Sequence, residues 1–151
     1  MIRIQEAPFD VGAELGALTR GRSDIGALAS FLGLVRDLAG DRTISAMTLE
    51  HDPGMTERKL AEIEAEAQAR WPLQASLIVH RYGRMLPGEP IVLVATASPH
   101  RAAALESCAF LIDWLKTKAP FWKLEETAGE SRWVAARAAD DEAAARWQER
   151  A

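Results

Sequence analysis

Cysteine is nearly absent: Cys108 stands alone in 151 residues, which excludes an internal disulfide and every zinc site built on several cysteines. Cys108 lies in an apolar helical stretch and reads as a small buried hydrophobe rather than a nucleophile. Histidine is scarce too, with three residues. His51, His80 and His100 show no H-x-x-x-H spacing, and C-x-x-C, the P-loop pattern, G-x-G-x-x-G and G-x-S-x-G are all missing, so no metal site, nucleotide loop or nucleophile elbow is written in the chain. No excess of positive charge exists either, since the formal net charge is −4. That excludes a general nucleic-acid or membrane-surface binder, which depends on summed positive potential. No apolar stretch reaches spanning length, and Met1-Ile2-Arg3-Ile4-Gln5-Glu6 lacks the apolar run of a signal peptide, so the expected location is cytoplasmic.

What is present suits one folded unit. A hydrophobic content of 48% over this length supplies a proper core for one domain, expected over residues 1–151, and is too little for two comfortable ones. Asp10 to Arg20 reads as a helix. Ile25 to Val35 reads as a buried strand whose Gly26 and Gly33 mark a bulge or a close backbone approach. Ala39-Gly40-Asp41-Arg42 has turn chemistry, Ile44 to His51 alternates as a strand, and Asp52-Pro53-Gly54 turns. Thr56 is expected to cap a helix over Glu57 to Arg70, with Leu60, Ile63 and Ala67 inward and Trp71-Pro72 as its stop. Ser76 to Tyr82 and Ile91 to Ala97 form an antiparallel pair joined by the loop Met85 to Pro90. Ser98-Pro99 opens a helix that carries Ala104, Cys108, Leu111 and Leu115 and ends before Pro120. Ser131 to Arg137 is a last strand and Asp140 to Arg150 a final helix capped by Asp140. Mixed strands, helices and hairpins point to an α+β fold.

The chemistry concentrates in Leu115-Lys116-Thr117-Lys118-Ala119-Pro120-Phe121-Trp122-Lys123. Proline ends the helix and pushes Ala119 out of the α region, so the segment reads as a helix end running into an ordered turn. Lysine tolerates partial desolvation by shifting its pKa, and two lysines held against aromatics suit carboxylate binding or proton transfer. The plainer reading is that lysines at a helix C-terminus only complement its dipole, for roughly 0.3–1 kcal/mol. His100-Arg101, expected at N2 and N3 of the following helix, is the second signal. Stability alone favours acids there, whereas a basic pair is what an anion site needs. Against it stands an exposed arginine in solvent beside a histidine bonded to backbone. Arg36 and His51 are further basic groups at element ends, each weak alone. The pattern describes electrostatic and acid–base work on anionic substrates, with any sulfur or nucleophile brought from outside.

These residues meet a family. Phe31-Leu32-Gly33-Leu34-Val35-Arg36, Leu49-Glu50-His51-Asp52-Pro53-Gly54-Met55, His80-Arg81-Tyr82-Gly83, Pro87-Gly88-Glu89, His100-Arg101, the lysine segment and Arg132-Trp133-Val134 resemble, in order, the large catalytic subunits of molybdopterin synthase, the MoaE family. Asp52 stands where that family often has an aromatic, and Lys118 where it often has Arg.

The resemblance implies an α/β hammerhead-type fold, a homodimer, and a small ubiquitin-like sulfur-carrier subunit bound to each copy. The carrier's C-terminal Gly-Gly thiocarboxylate would donate sulfur to cyclic pyranopterin monophosphate, two transfers giving the dithiolene of molybdopterin; no cofactor and no metal is implied. Position by position, Lys116 and Lys123 would be catalytic. Lys116 would stand near the thiocarboxylate as acid–base group or as acceptor of a transient covalent link, and Lys123 would stabilise charge on the pterin intermediate or the leaving carboxylate. Arg36, His100 and Arg101 would hold phosphate and pterin, and Arg137 would reach the partner subunit's pocket. Phe121 and Trp122 are expected to pack the pocket wall. A non-catalytic adaptor that docks a Gly-Gly tail is the competing class; a phosphate-ester hydrolase lacks a visible metal cluster or nucleophile.

Overall fold

Strand β8 (Pro90–Ser98) is buried along almost its whole length because helices cover both faces of the sheet it centres. That sheet runs β1 (Ile2–Gln5), β6 (Ala75–Arg81), β8, β2 (Ala27–Leu34). β6 and β2 flank β8 antiparallel, and β1 adds a parallel edge on β6. The computed structural model describes residues 1–134 and 138–148. On one face lie α2 (Met55–Arg70) and α3 (Arg101–Lys118), whose Leu60, Ile63, Ala67, Phe110 and Leu111 meet Ile78, Val92 and Val94. On the other lies α1 (Val11–Thr19), with Leu15 and Leu18 on Leu77, Val79, Leu93 and Ala95. Each large side chain fully withdrawn from water contributes about 1.5–3 kcal/mol.

A short hairpin of β3 (Leu38–Ala39) and β4 (Arg42–Thr43) leads to a second sheet, ordered β10 (Glu130–Val134), β9 (Phe121–Thr127), β5 (Ala46–His51), β7 (Gly83–Met85). Helix α4 (Ala138–Ala145) follows, and Trp147 beyond it packs against Phe110 and Trp71. The α+β class holds, with one parallel pairing, β1 on β6, that the sequence does not announce.

Several expectations need correction. The strand over Ile25 to Val35 is an edge strand, not a buried one: Phe31, Leu32 and Leu34 are 38%, 37% and 50% exposed, because nothing among the described residues pairs with its outer side. Both readings of its glycines hold. The register shifts between Gly33 and Leu34, and a Cβ on Gly26 would lie 1.9 Å from the Pro99 carbonyl oxygen.

Helix α2 begins at Met55, not Glu57. Gly54, at φ 86, takes the cap position, a left-handed conformation that glycine adopts without Cβ strain, and its N–H donates to Glu57 Oε2 at 2.6 Å. Thr56 lies inside the helix, fully buried, with its hydroxyl donating to the Asp52 carbonyl. Helix α3 begins at Arg101, so Ser98 is no cap; it ends β8, and its hydroxyl donates to the Pro72 carbonyl. α4 starts before Asp140 and ends at Ala145, and the turn expected after Pro120 is strand β9.

Candidate active site

Lys116 sits in the last turn of α3 beside the buried Leu115. Ala119 adopts φ −78, ψ 135, the extended conformation that a following proline imposes, and its N–H still reaches the Leu115 carbonyl at 3.3 Å. β9 starts at once, and strand alternation then sorts its side chains. Phe121, paired with His51, and Lys123, paired with Leu49, share one side. Trp122 points to the opposite side and is half exposed, so the two aromatics do not line one common face.

Phe121 is the centre of a ring column. His80 stacks on it at 3.8 Å and 15°, His51 lies 6.0 Å away on its own strand, and Tyr82 is 4.7 Å from His51. His80 is buried, and its Nδ1–H donates to the Arg81 carbonyl at 2.8 Å. Burial pulls its pKa down to about 3; the Arg81 carbonyl opposes this, while the charges of Lys116 and His51 add to it. His80 therefore stays neutral beside Lys116. The Thr56 hydroxyl gives its proton to Asp52 and accepts from His51 Nδ1 at 3.0 Å. His80 thus carries its proton on Nδ1, facing the Arg81 carbonyl. Sequence reasoning treated these histidines singly. The signal was the placement of His51 and His80 at the ends of two strands, which topology brings together across Phe121.

Lys118 turns away. Its Nζ lies 4.7 Å from the Trp114 ring centroid, in a groove of about 390 Å³ between α2 and α3 lined also by Lys59, Glu62 and Glu66.

Arg36 follows β2 at the same end of the first sheet as His80, since Gly33 and His80 both pair with Val92. It is exposed. The backbone on either side of it is held: Val35 N–H donates to the Glu89 carbonyl at 3.0 Å, Gly88 N–H donates to the Val35 carbonyl at 2.7 Å, and Ile44 N–H donates to the Asp37 carbonyl at 2.7 Å.

His100 and Arg101 stand at the opposite end of α3 from Lys116. His100 is the N-cap of α3, without a side-chain cap bond, and Arg101 is N1 rather than N3; both are exposed. The first turn of α3 contains no acid, so no carboxylate of its own offsets the partial positive charge of its N–H groups. Arg101 and Lys116 belong to one straight helix, fifteen residues apart, which at 1.5 Å per residue separates their backbones by about 22 Å. The chain therefore carries Lys116 at one end of α3, with Lys123 on the strand that follows, and His100-Arg101 at the other end. Arg137 lies outside the described residues.

Cys108 is buried against the Val94 carbonyl, and burial pushes its thiol up to about 11, so it holds no thiolate near neutrality. Among the described residues no three His, Cys, Asp or Glu side chains are placed to hold a metal ion, and no helix is long and apolar enough to cross a membrane.

The model of the family described as MoaE protein matches residues 4–118. A molybdopterin synthase catalytic subunit from Pseudomonas aeruginosa is 54% identical over 148 residues, 98% of this chain and 99% of that one. Among solved structures, a molybdopterin biosynthesis MoaE protein from Burkholderia ambifaria superposes with a TM-score of 0.84 at 54% identity, covering 98% of this chain and 97% of that chain. A molybdopterin synthase from Staphylococcus aureus gives 0.81 at 29% identity over 88% of this chain and 96% of that one.

Proposed function

The chain belongs to the MoaE family, and we propose that it acts as the catalytic subunit of a molybdopterin synthase in a site that two protomers build together. It is a sulfurtransferase of molybdenum cofactor biosynthesis, folded as one domain over residues 1–151 and working in the cytoplasm. A small ubiquitin-like carrier brings sulfur as a C-terminal Gly-Gly thiocarboxylate, and cyclic pyranopterin monophosphate receives it. The observation that carries this reading is the pair Lys116 and Lys123 around Pro120, one ending α3 and one on β9, beside a neutral His80.

The roles follow from the chemistry each position offers. Lys116 meets the thiocarboxylate, where an amine that can lose its proton serves as acid–base group or takes a transient acyl link. Lys123, partly sheltered on the inner side of β9, stabilises charge on the pterin intermediate or on the departing carboxylate. Arg36, His100 and Arg101 bind phosphate and pterin, and the carboxylate-like tail and the phosphate are both anions that such groups receive.

The separation of about 22 Å along α3 argues that His100 and Arg101 of one protomer complete the site of the other. The outer edge of β2, with Phe31, Leu32 and Leu34 exposed, supports a homodimer through that edge. Two-fold pairing of identical edge strands is antiparallel, so the Arg36 end of one β2 meets the opposite end of the other. That opposite end is where Gly26 touches Pro99, next to His100.

Carrier dependence tests the reading. Purified alone, the chain should leave cyclic pyranopterin monophosphate unconverted, and a thiocarboxylated carrier should restore formation of the dithiolene. Turnover with free sulfide and no carrier would refute it.

A further inference from the structure

We propose that Glu89 is a positioning residue for the pterin substrate, acting through Arg36 by locking the loop against which the Arg36 backbone is built. This rests on the reading of Arg36 as a phosphate-binding group. Arg36 itself has no salt bridge to any described residue. Its guanidinium is therefore aimed by backbone, and long exposed side chains lose affinity when their base is loose.

That base is an unusual joint. After the register shift at Gly33 and Leu34, Val35 leaves the regular ladder and exchanges two backbone bonds with Gly88 and Glu89 instead. Val35 is buried, so these bonds are shielded from water. Gly88 offers its N–H there from a left-handed conformation, φ 91, that glycine adopts without Cβ strain. Everything thus depends on the loop Leu86 to Glu89 holding one shape.

The Glu89 carboxylate holds it. One oxygen, Oε2, accepts the Leu86 N–H at 2.5 Å, closing the loop on itself, and Oε1 faces Arg81 Nη1 at 3.4 Å. Arg81 is the anchor. Its side chain is only 7% exposed, and it also donates from Nε to the Glu6 carbonyl at 2.9 Å and from Nη1 to the Pro90 carbonyl at 3.2 Å. A guanidinium buried so deeply requires a compensating charge, and Glu89 is the carboxylate placed to supply it. The Leu86 N–H first, and Arg81 with it, hold the Glu89 carboxyl below its ordinary range, so the clamp is charged near neutrality. Glu89 stands at a loop, 36% exposed in its side chain, where a carboxylate that merely kept the protein soluble would need neither partner.

The test is a mutant cycle on the carrier-bound complex, with unthiolated carrier so that no turnover occurs, titrated anaerobically with cyclic pyranopterin monophosphate. Arg36→Ala measures what Arg36 contributes. Glu89→Gln, which preserves shape and removes the charge, should weaken binding by roughly three- to tenfold in the wild-type background and leave Arg36→Ala unchanged. Amide exchange at Val35 and Gly88 should quicken in Glu89→Gln. Single-turnover transfer at saturating pterin should stay near wild type, since the clamp aims a binding group and touches no reacting atom.

If Arg36→Ala binds as wild type, the reading of Arg36 fails. If Arg36→Ala weakens binding but Glu89→Gln does not, or if the two losses multiply, the positioning role of Glu89 is overturned. Should Glu89→Gln fold poorly, Glu89→Asp keeps the charge and shortens the reach, and enters the same cycle with the same expected coupling to Arg36.

Discussion

Lys116 is the residue at which catalysis and binding separate most cleanly. Lys116→Arg preserves a positive charge at the end of α3 but replaces an amine that can be deprotonated with a guanidinium that cannot. Single-turnover sulfur transfer should fall by roughly two orders of magnitude or more while carrier affinity changes little. Near-normal transfer would reduce Lys116 to an anchor and favour an adaptor. Its neighbour His80 makes a second measurable claim. The folded protein holds this imidazole neutral down to about pH 3, against an ordinary value of 6.5. Below pH 6.5 the unfolded chain takes up a proton that the folded chain refuses, so the stability His80 contributes is whole above that pH and is lost as pH falls toward 3, by up to about 1.4 kcal/mol per unit. Urea midpoints should decline through that window in wild type, and His80→Phe should flatten the decline; an unchanged slope would mean that other groups set the acid sensitivity. At this scale much was legible. The placement of Lys116 at the end of α3 and of His100 and Arg101 at its start follows from Pro120 and the Ser98-Pro99 segment within a few residues. The ring column was hidden, because His51, His80 and Phe121 come from three strands and meet only through pairing partners that no local pattern encodes.

Elements read well where a local rule decides them. The stripe Leu60, Ile63, Ala67 is buried as its period implies, and Pro120 ends α3 as its ring must. They read poorly where a tertiary contact overrides the rule. Ser98-Pro99 has good helix-start chemistry, yet Ser98 remains in β8, because its hydroxyl is spent on the Pro72 carbonyl and its own carbonyl accepts the Gly26 N–H at 3.1 Å. Pro120 has turn chemistry, yet the chain goes straight into β9, because Phe121 to Thr127 finds pairing partners on β5 and β10 that no local rule announces. The Gly26 contact is testable. A Cβ there would sit 1.9 Å from backbone that cannot step aside, so Gly26→Ala should cost about 1–3 kcal/mol, as overpacking does. It should also disturb the His100-Arg101 corner, weakening pterin binding in variants that still fold. Unaltered melting and binding would show that the β2 to α3 junction is looser than its geometry.

The whole molecule sets a limit that no single element reveals: a straight helix keeps Arg101 and Lys116 about 22 Å apart, and no loop among the described residues can fold one onto the other. Composition and motif order led to the right fold class and family, because both are sums over the chain. They did not separate His100 and Arg101 from Lys116 in space, because residue order does not give the length of helix between them. Arg137, outside the described residues, keeps its expected role across the dimer as a proposal. The shared site predicts complementation between inactive chains. Lys116→Ala and Arg101→Ala homodimers should each transfer sulfur poorly. Unfolded together and reassociated in equal amounts, they should form mixed dimers in half of the assemblies. In each mixed dimer one site carries both lesions, while the other combines the intact Lys116 of one chain with the intact Arg101 of its partner. Activity should therefore recover to about one quarter of wild type for statistical pairing of a symmetric dimer, with a KM for cyclic pyranopterin monophosphate close to normal because each recovered site is complete. If every site were built from one chain, the mixture would contain only defective sites, and its activity would stay at the mean of the two parents at every mixing ratio.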